Sequence, residues 1–165
     1  MLRQFNLRFV LIVVAFGLGL YMSRGGVLFS HPAPEFSLPG VYGGRVDLDS
    51  YRGRPVLLVF WTSSCPICQR ELPLLSQLAP IYRSKDVSVL AIHLGGESEA
   101  AEFLSTYNVN LTTACDSDGK VGRAYDVGGV PKFVLIGKDG KIRRSTSGWA
   151  SERVLRSWMD AAGGS

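Results

Sequence analysis

Two uninterrupted apolar runs, each followed by a stretch with helical periodicity, point to an α/β sandwich around a mixed central sheet. The runs are "PVLLVFW" (residues 55–61) and "VSVLAIHL" (87–94). A third observation is "KFVLIGKDGKIRRS" (132–145), which reads as an antiparallel hairpin turning at Asp139 and Gly140. The expected sheet is parallel in its middle and antiparallel at one edge, and one N-terminal membrane helix precedes it.

That first helix rests on Arg3 and Arg8 followed by an uncharged run over residues 9–23. A spanning helix wants about 20 apolar residues, and a signal-peptide core about 7–15. Arg24 can snorkel and let residues 27–29 complete a span. No A-x-A cleavage site follows, so an uncleaved anchor is favoured over a cleaved signal. Flanking arginines argue against a buried globular helix. Two arginines before the run and one after it place the N-terminus in the cytoplasm and the rest outside. The expected organisation is a signal anchor or transmembrane segment (1–29), a linker (30–35) rich in proline, and one domain (36–165).

Within the domain, Gly43-Gly44 suggests a turn between two short strands. The run at 55–61 has no alternation and suits a strand covered on both faces. Leu72, Leu74, Leu75, Leu78 and Ile81 recur at helical spacing. After the second strand, Ala100, Phe103 and Tyr107 share one helix face. A short strand through "VNLTTAC", a short helix through "GKVGRAYDV" and the terminal hairpin follow. Ser151 caps a last helix whose apolar side holds Val154, Leu155, Trp158 and Met159.

The chain has 165 residues and a formal charge of +4. Three of its 18 Lys and Arg lie before His31, and none of its 14 acids does, so the domain is nearly neutral. No basic stripe is present, which argues against a nucleic-acid partner. A domain of this size needs no disulfide scaffold. The cysteines are free to carry chemistry, and an extracytoplasmic compartment permits disulfides.

"FWTSSCPICQRELP" (60–73) holds two of the three cysteines. In sheets of this kind chemistry collects where a strand's carboxyl end meets a helix start. Cys65 falls at that junction, and Pro66 suits the first helical position, where no backbone donor is needed. Free N–H groups and the positive helix end favour a thiolate, so Cys65 is the expected nucleophile. Cys68, one turn inward, is expected to be more buried and to resolve a mixed disulfide. A zinc site lacks its other ligands, since Cys115, His31 and His93 are scattered; no metal is expected. Haem attachment wants His at residue 69, which is Gln. A structural bridge over so short a loop would stabilise little. A redox couple is the reading that remains.

"FWTSSCPICQRELP" together with "GGVPKFVLIGKDGKI" resembles the membrane-anchored thioredoxin-like proteins of the TlpA/ResA type, over roughly residues 32 to 162. Trp61 four before Cys65, Pro73 five after Cys68, and Val130-Pro131 before an apolar strand carry the likeness. The resemblance implies a thioredoxin-like sandwich with an N-terminal hairpin and an inserted βα unit between Cys68 and Pro131. It implies a cis bond at Pro131, with the Val130 backbone contacting substrate; Trp61 reads either as a substrate-contacting wall of the site or as core packing. It makes Glu71 a tuner of the cysteines' proton transfers; the residues alone also allow a solvated helix acid there. Pro66 and Ile67, between the cysteines, are expected to tune the potential. Ser64 and Val130 depart from the choices of many relatives, which leaves the direction of electron flow and the substrate class open. Val59 stands where thioredoxins often carry a buried aspartate.

Other residues read more simply. Cys115 is expected to be a buried small apolar residue, His93 a packed core histidine, and His31 and Lys132 solvated. The expected activity is extracytoplasmic thiol–disulfide exchange with exported proteins, through the Cys65–Cys68 couple and without a bound cofactor. As a reductase, the resemblance implies a transmembrane thiol carrier of the DsbD or CcdA kind and a role in cytochrome c maturation. A disulfide-introducing oxidant and a peroxiredoxin-like peroxide reductase stay open. Thr62 lies three before Cys65 as in a peroxidatic site, but residue 58 is Leu rather than Pro. A chaperone or Cu(I)-binding module is the non-enzymatic alternative.

Overall fold

The computed structural model describes residues 31–164. The expected membrane helix, residues 1–29, lies outside the described residues, and no described helix is long and apolar enough to cross a membrane.

Two short strands, β1 (Ser37–Pro39) and β2 (Arg45–Asp47), open the domain. They pair antiparallel, and Gly43 and Gly44 both take positive φ in the turn between them. A 3-10 turn (Leu48–Tyr51) leads into β3 (Val56–Trp61), which is buried at every position. Then come α1 (Pro66–Arg83), β4 (Ser88–His93), α2 (Glu97–Thr106) and β5 (Thr112–Cys115). The short α3 (Lys120–Ala124), β6 (Lys132–Ile136), β7 (Ile142–Ser147) and α4 (Glu152–Gly163) complete it.

The main sheet has the order β5-β4-β3-β6-β7. β3 pairs parallel with β4 and antiparallel with β6. The antiparallel part therefore starts at the sheet's centre and is not confined to one edge. β6 begins at the end of the sheet where β5 finishes and runs the other way. α2 and β5 are the extra helix and strand expected between Cys68 and Pro131.

Successive residues of β3 feed two cores. Leu57, Val59 and Trp61 face α1, α2 and α4, and Val56, Leu58 and Phe60 face the β1–β2 hairpin and α3. This is why the run lacks alternation. Leu72, Leu75 and Leu78 of α1 are buried as expected, but Ile81 is 47% exposed and Tyr82 takes the core position. The step from Leu78 to Tyr82 keeps the helical face, and the Tyr82 hydroxyl donates to the Arg156 carbonyl at 3.3 Å. On α2, Leu104 is buried while Tyr107 reaches the surface. On α4, Leu155 and Met159 are buried, Trp158 is half-buried and Val154 is exposed. Ser151 caps that helix, its hydroxyl accepting from the Val154 N–H.

The expected linker is shorter than its sequence suggests. Pro32 bridges to Lys141, Ala33 is buried with its N–H on the Gly140 carbonyl at 2.9 Å, and Tyr125 donates to the Pro34 carbonyl at 2.8 Å. Residues 32–35 thus belong to the domain, since an apolar Ala33 and Phe36 have a core to enter.

Leu72→Ala should lower the free energy of urea unfolding by about 2–5 kcal/mol, while Ile81→Ala should change it by less than about 0.5 kcal/mol. Equal losses at the two positions would contradict this assignment of the buried face.

Candidate active site

β3 ends at Trp61, three polar residues follow, and α1 starts at once. Cys65 is the N-cap residue, with extended backbone (φ −85°, ψ 112°), and Pro66 occupies the first turn. The Cys65 N–H donates to the Thr62 carbonyl at 3.3 Å, and its own carbonyl accepts from Gln69 at 3.2 Å. The Cys68 N–H points at Cys65 Sγ, 3.1 Å away. The two cysteines form a disulfide with a Cα–Cα separation of 5.2 Å. Cys65 keeps 7% of its surface exposed and Cys68 none. The outer and inner sulfurs have the placement that nucleophile and resolving thiol require.

The Val130–Pro131 bond is cis. This loop brings the Val130 carbonyl oxygen to 3.7 Å from Cys65 Sγ. Its other side is pinned by the Gly148 N–H, which donates to the Pro131 carbonyl at 2.8 Å. Pro66 is exposed and Ile67 half-buried against the core. Cys65, Pro66, Ile67, Val130 and Pro131 therefore gather at one end of the sheet.

Trp61 does not join them at the surface. It is fully buried, its ring 4.5 Å from both His93 and Phe103, because odd positions of β3 point into the core under α1. It can shape the floor of the site but not touch a substrate. Lys132 is not freely solvated either: its ammonium donates to the carbonyls of Tyr125 at 2.7 Å and Asp126 at 2.8 Å. It ties the loop after α3 to the start of β6.

Glu71 is the buried acid of α1, only 4% exposed, and its Oε2 has no hydrogen-bond partner. Burial raises its pKa above the ordinary carboxyl value, and the nearby Arg70 offsets this in part. It is not a solvated helix acid. It lies three residues after Cys68, one turn further along the same side.

His93 packs in the core, but with a polar contact that its strand position did not reveal. Its Nε2 lies 3.1 Å from the Ser63 hydroxyl, and that hydroxyl donates to the Glu99 carbonyl at 3.4 Å. Its Nδ1 is buried and has no hydrogen-bond partner. Burial lowers the His93 pKa, against Glu99 and the Gly95 and Gly96 backbone. Ser63 thereby links the loop before the nucleophile to β4 and α2. A serine two residues before Cys65 was the only sequence signal for it. Cys115 sits beside His93 across β4–β5, 3% exposed, and burial raises its thiol pKa, with Glu97 adding to this. It is an inert core thiol. Among the described residues no cluster of His, Cys, Asp and Glu could hold a metal ion.

A strand-to-helix disulfide with one guarded and one buried sulfur, beside a cis-proline loop in this sheet order, defines a thiol–disulfide oxidoreductase of thioredoxin-like fold. Residues 29–145 match the AhpC/TSA family, and the chain belongs to it, in the TlpA/ResA-type branch. It is similar to the thiol-disulfide oxidoreductase ResA of Geobacillus kaustophilus, 31% identical over 157 residues that cover 92% of this chain and 90% of that one. Among solved structures it is similar to a DsbE-type thiol:disulfide interchange protein from Chlorobium tepidum. That match has 32% identity and a TM-score of 0.76 and covers 81% of this chain and 96% of the other. A secreted disulfide oxidoreductase of Mycobacterium tuberculosis, homologous to DsbE, is 31% identical with a TM-score of 0.69 and covers 76% and 95%.

The Glu71 carboxyl makes stability depend on pH. Its folded-state pKa lies above the ordinary 4.5, so the folded protein holds the proton longer than the unfolded chain. Stability then falls as pH rises from about 4.5 through the folded value. Glu71→Gln should therefore gain on the wild type across that window in urea unfolding of the oxidised protein. A gain that shrinks as pH rises would show that the carboxylate is stabilised in place.

Proposed function

We propose that the protein is a membrane-tethered reductase of disulfides in exported proteins, acting on the extracytoplasmic face. The observation that carries the direction of flow is Glu71, buried without a partner one turn after Cys68. Where Glu71 is ionised, its charge opposes a thiolate on the inner sulfur. This raises the free energy of the reduced state at pH values where Cys68 would otherwise ionise, and there makes the couple a better donor of electrons.

In the forward cycle, the Cys65 thiolate attacks one sulfur of a client disulfide. A Cys65–client bond forms, the client S–S bond breaks, and one client thiolate leaves. The Cys68 thiol gives up its proton, with Glu71 placed to tune that transfer, and attacks Cys65 Sγ. The second client thiolate leaves and the Cys65–Cys68 disulfide closes. The client gains two electrons and the couple loses two; no bound cofactor is required. The Cys68 N–H on Cys65 Sγ supports the outer sulfur as the attacking one.

The resemblance to the TlpA/ResA type supports the remaining roles. Electrons come from a transmembrane thiol carrier of the DsbD or CcdA kind. The client is an apocytochrome haem-binding cysteine pair or another oxidised exported protein. Residues 1–29 form the anchor, and Pro66 and Ile67 tune the potential.

Cys68→Ser should leave clients covalently attached to Cys65, identifiable by mass spectrometry, and Cys65→Ser should abolish both trapping and exchange. Equilibration with glutathione should find the couple more reducing than the extracytoplasmic glutathione pool. A more oxidising value would reverse the direction and favour the oxidant reading. Rapid peroxide consumption surviving in Cys68→Ser would replace the reading with a peroxidatic one.

A further inference from the structure

Trp149 is 65% exposed, and among the described residues no aromatic ring stacks on it. Tryptophan so open to water is uncommon in a soluble domain and enriched where proteins bind one another. Its place in the fold is specific. The preceding Gly148 donates to the Pro131 carbonyl at 2.8 Å, and the residue before that proline lies 3.7 Å from Cys65 Sγ. The following Ala150 is 5% exposed and sits in the same core cluster as Cys65 and Cys68. Ser151 then caps α4. The loop carrying Trp149 is thus pinned on both sides next to the disulfide.

We propose that Trp149 is a specificity residue for the client protein. It receives an aromatic or large aliphatic side chain close to the client's half-cystine. This rests on the exchange reading above and adds the chemistry of what is recognised.

The argument for that occupant is continuity. A client must bring its sulfur to Cys65, which is flanked in the chain by Ser64, Pro66 and Ile67, meets the Val130 carbonyl, and reaches Trp149 through the bond from Gly148 to Pro131. None carries a charge, so an acidic or basic flank finds no ionic partner among them. An apolar flank loses water against the indole, Ile67 and Val130. Because the loop is already held by its backbone bonds, little ordering entropy opposes that contact.

The test uses the reduced full-length protein and two peptide disulfides. One has Trp and Leu beside its cysteines, the other Ser and Gly, with the same charge. The second-order rate of protein oxidation should be roughly tenfold higher with the apolar peptide. Trp149→Ser should bring the ratio of the two rates close to one, and Trp149→Phe should restore most of it. Ile81→Ser removes another exposed apolar side chain, about 24 Å further along α1, and should keep the wild-type ratio. A ratio that survives Trp149→Ser, or two rates that fall alike, would overturn the proposal. Exchange persisting in Cys65→Ser would instead overturn the thiol reading and leave Trp149 to be judged by the ratio alone.

Discussion

The Cys68 amide reaches the Cys65 sulfur only because the helix begins at that residue, and much of the molecule serves to make it begin there. β3 is buried along its whole length, so its end is set by packing on both faces rather than by a single turn. Pro66 cannot donate a backbone bond and takes the position where none is needed. Leu72, Leu75 and Leu78 then hold α1 on the sheet. Any slip of that helix would move its first free amides away from the sulfur. The stability of the core and the reactivity of the thiol are in this sense one property.

Beneath the helix start lies an unusual set of polar atoms. Glu71 Oε2, His93 Nδ1 and Trp61 Nε1 are all buried without hydrogen-bond partners. Native interiors contain few such atoms, and they concentrate where chemistry needs them. The two sulfurs one turn apart differ in their surroundings: the outer one accepts from the Cys68 N–H, and the inner one is fully buried on the helix that carries Glu71.

Much of this was legible in the chain, and the reasons for the rest are physical. The apolar run at 55–61 marks a doubly covered strand because both β3 faces have partners. Cys65 and Pro66 mark a helix start because capping is a local matter. The cis bond at Pro131 came through resemblance. The antiparallel centre of the sheet did not show, since the pairing of β6 with β3 joins segments far apart in the sequence. Trp61 read as either a site wall or a core residue because position along a strand does not say which face holds the substrate. Lys132 and Ser63 act through backbone carbonyls and a distant histidine, contacts no spacing rule encodes. Residues 32–35 read as a tether because prolines dominate there. Their docking depends on Gly140 and Tyr125, about a hundred residues away in sequence.

That docking also orients the domain. Ala33 and Pro32 meet the β6–β7 turn at Gly140 and Lys141, beside the end of the sheet where Val56 pairs with Ile136. The cysteines occupy the other end, past Trp61. The length of β3, about 20 Å at strand rise, separates the two poles. A chain gripped by its N-terminal side therefore presents its sulfurs on the far pole, pointed away from whatever holds it. Partners approaching from the open side meet the reactive end first.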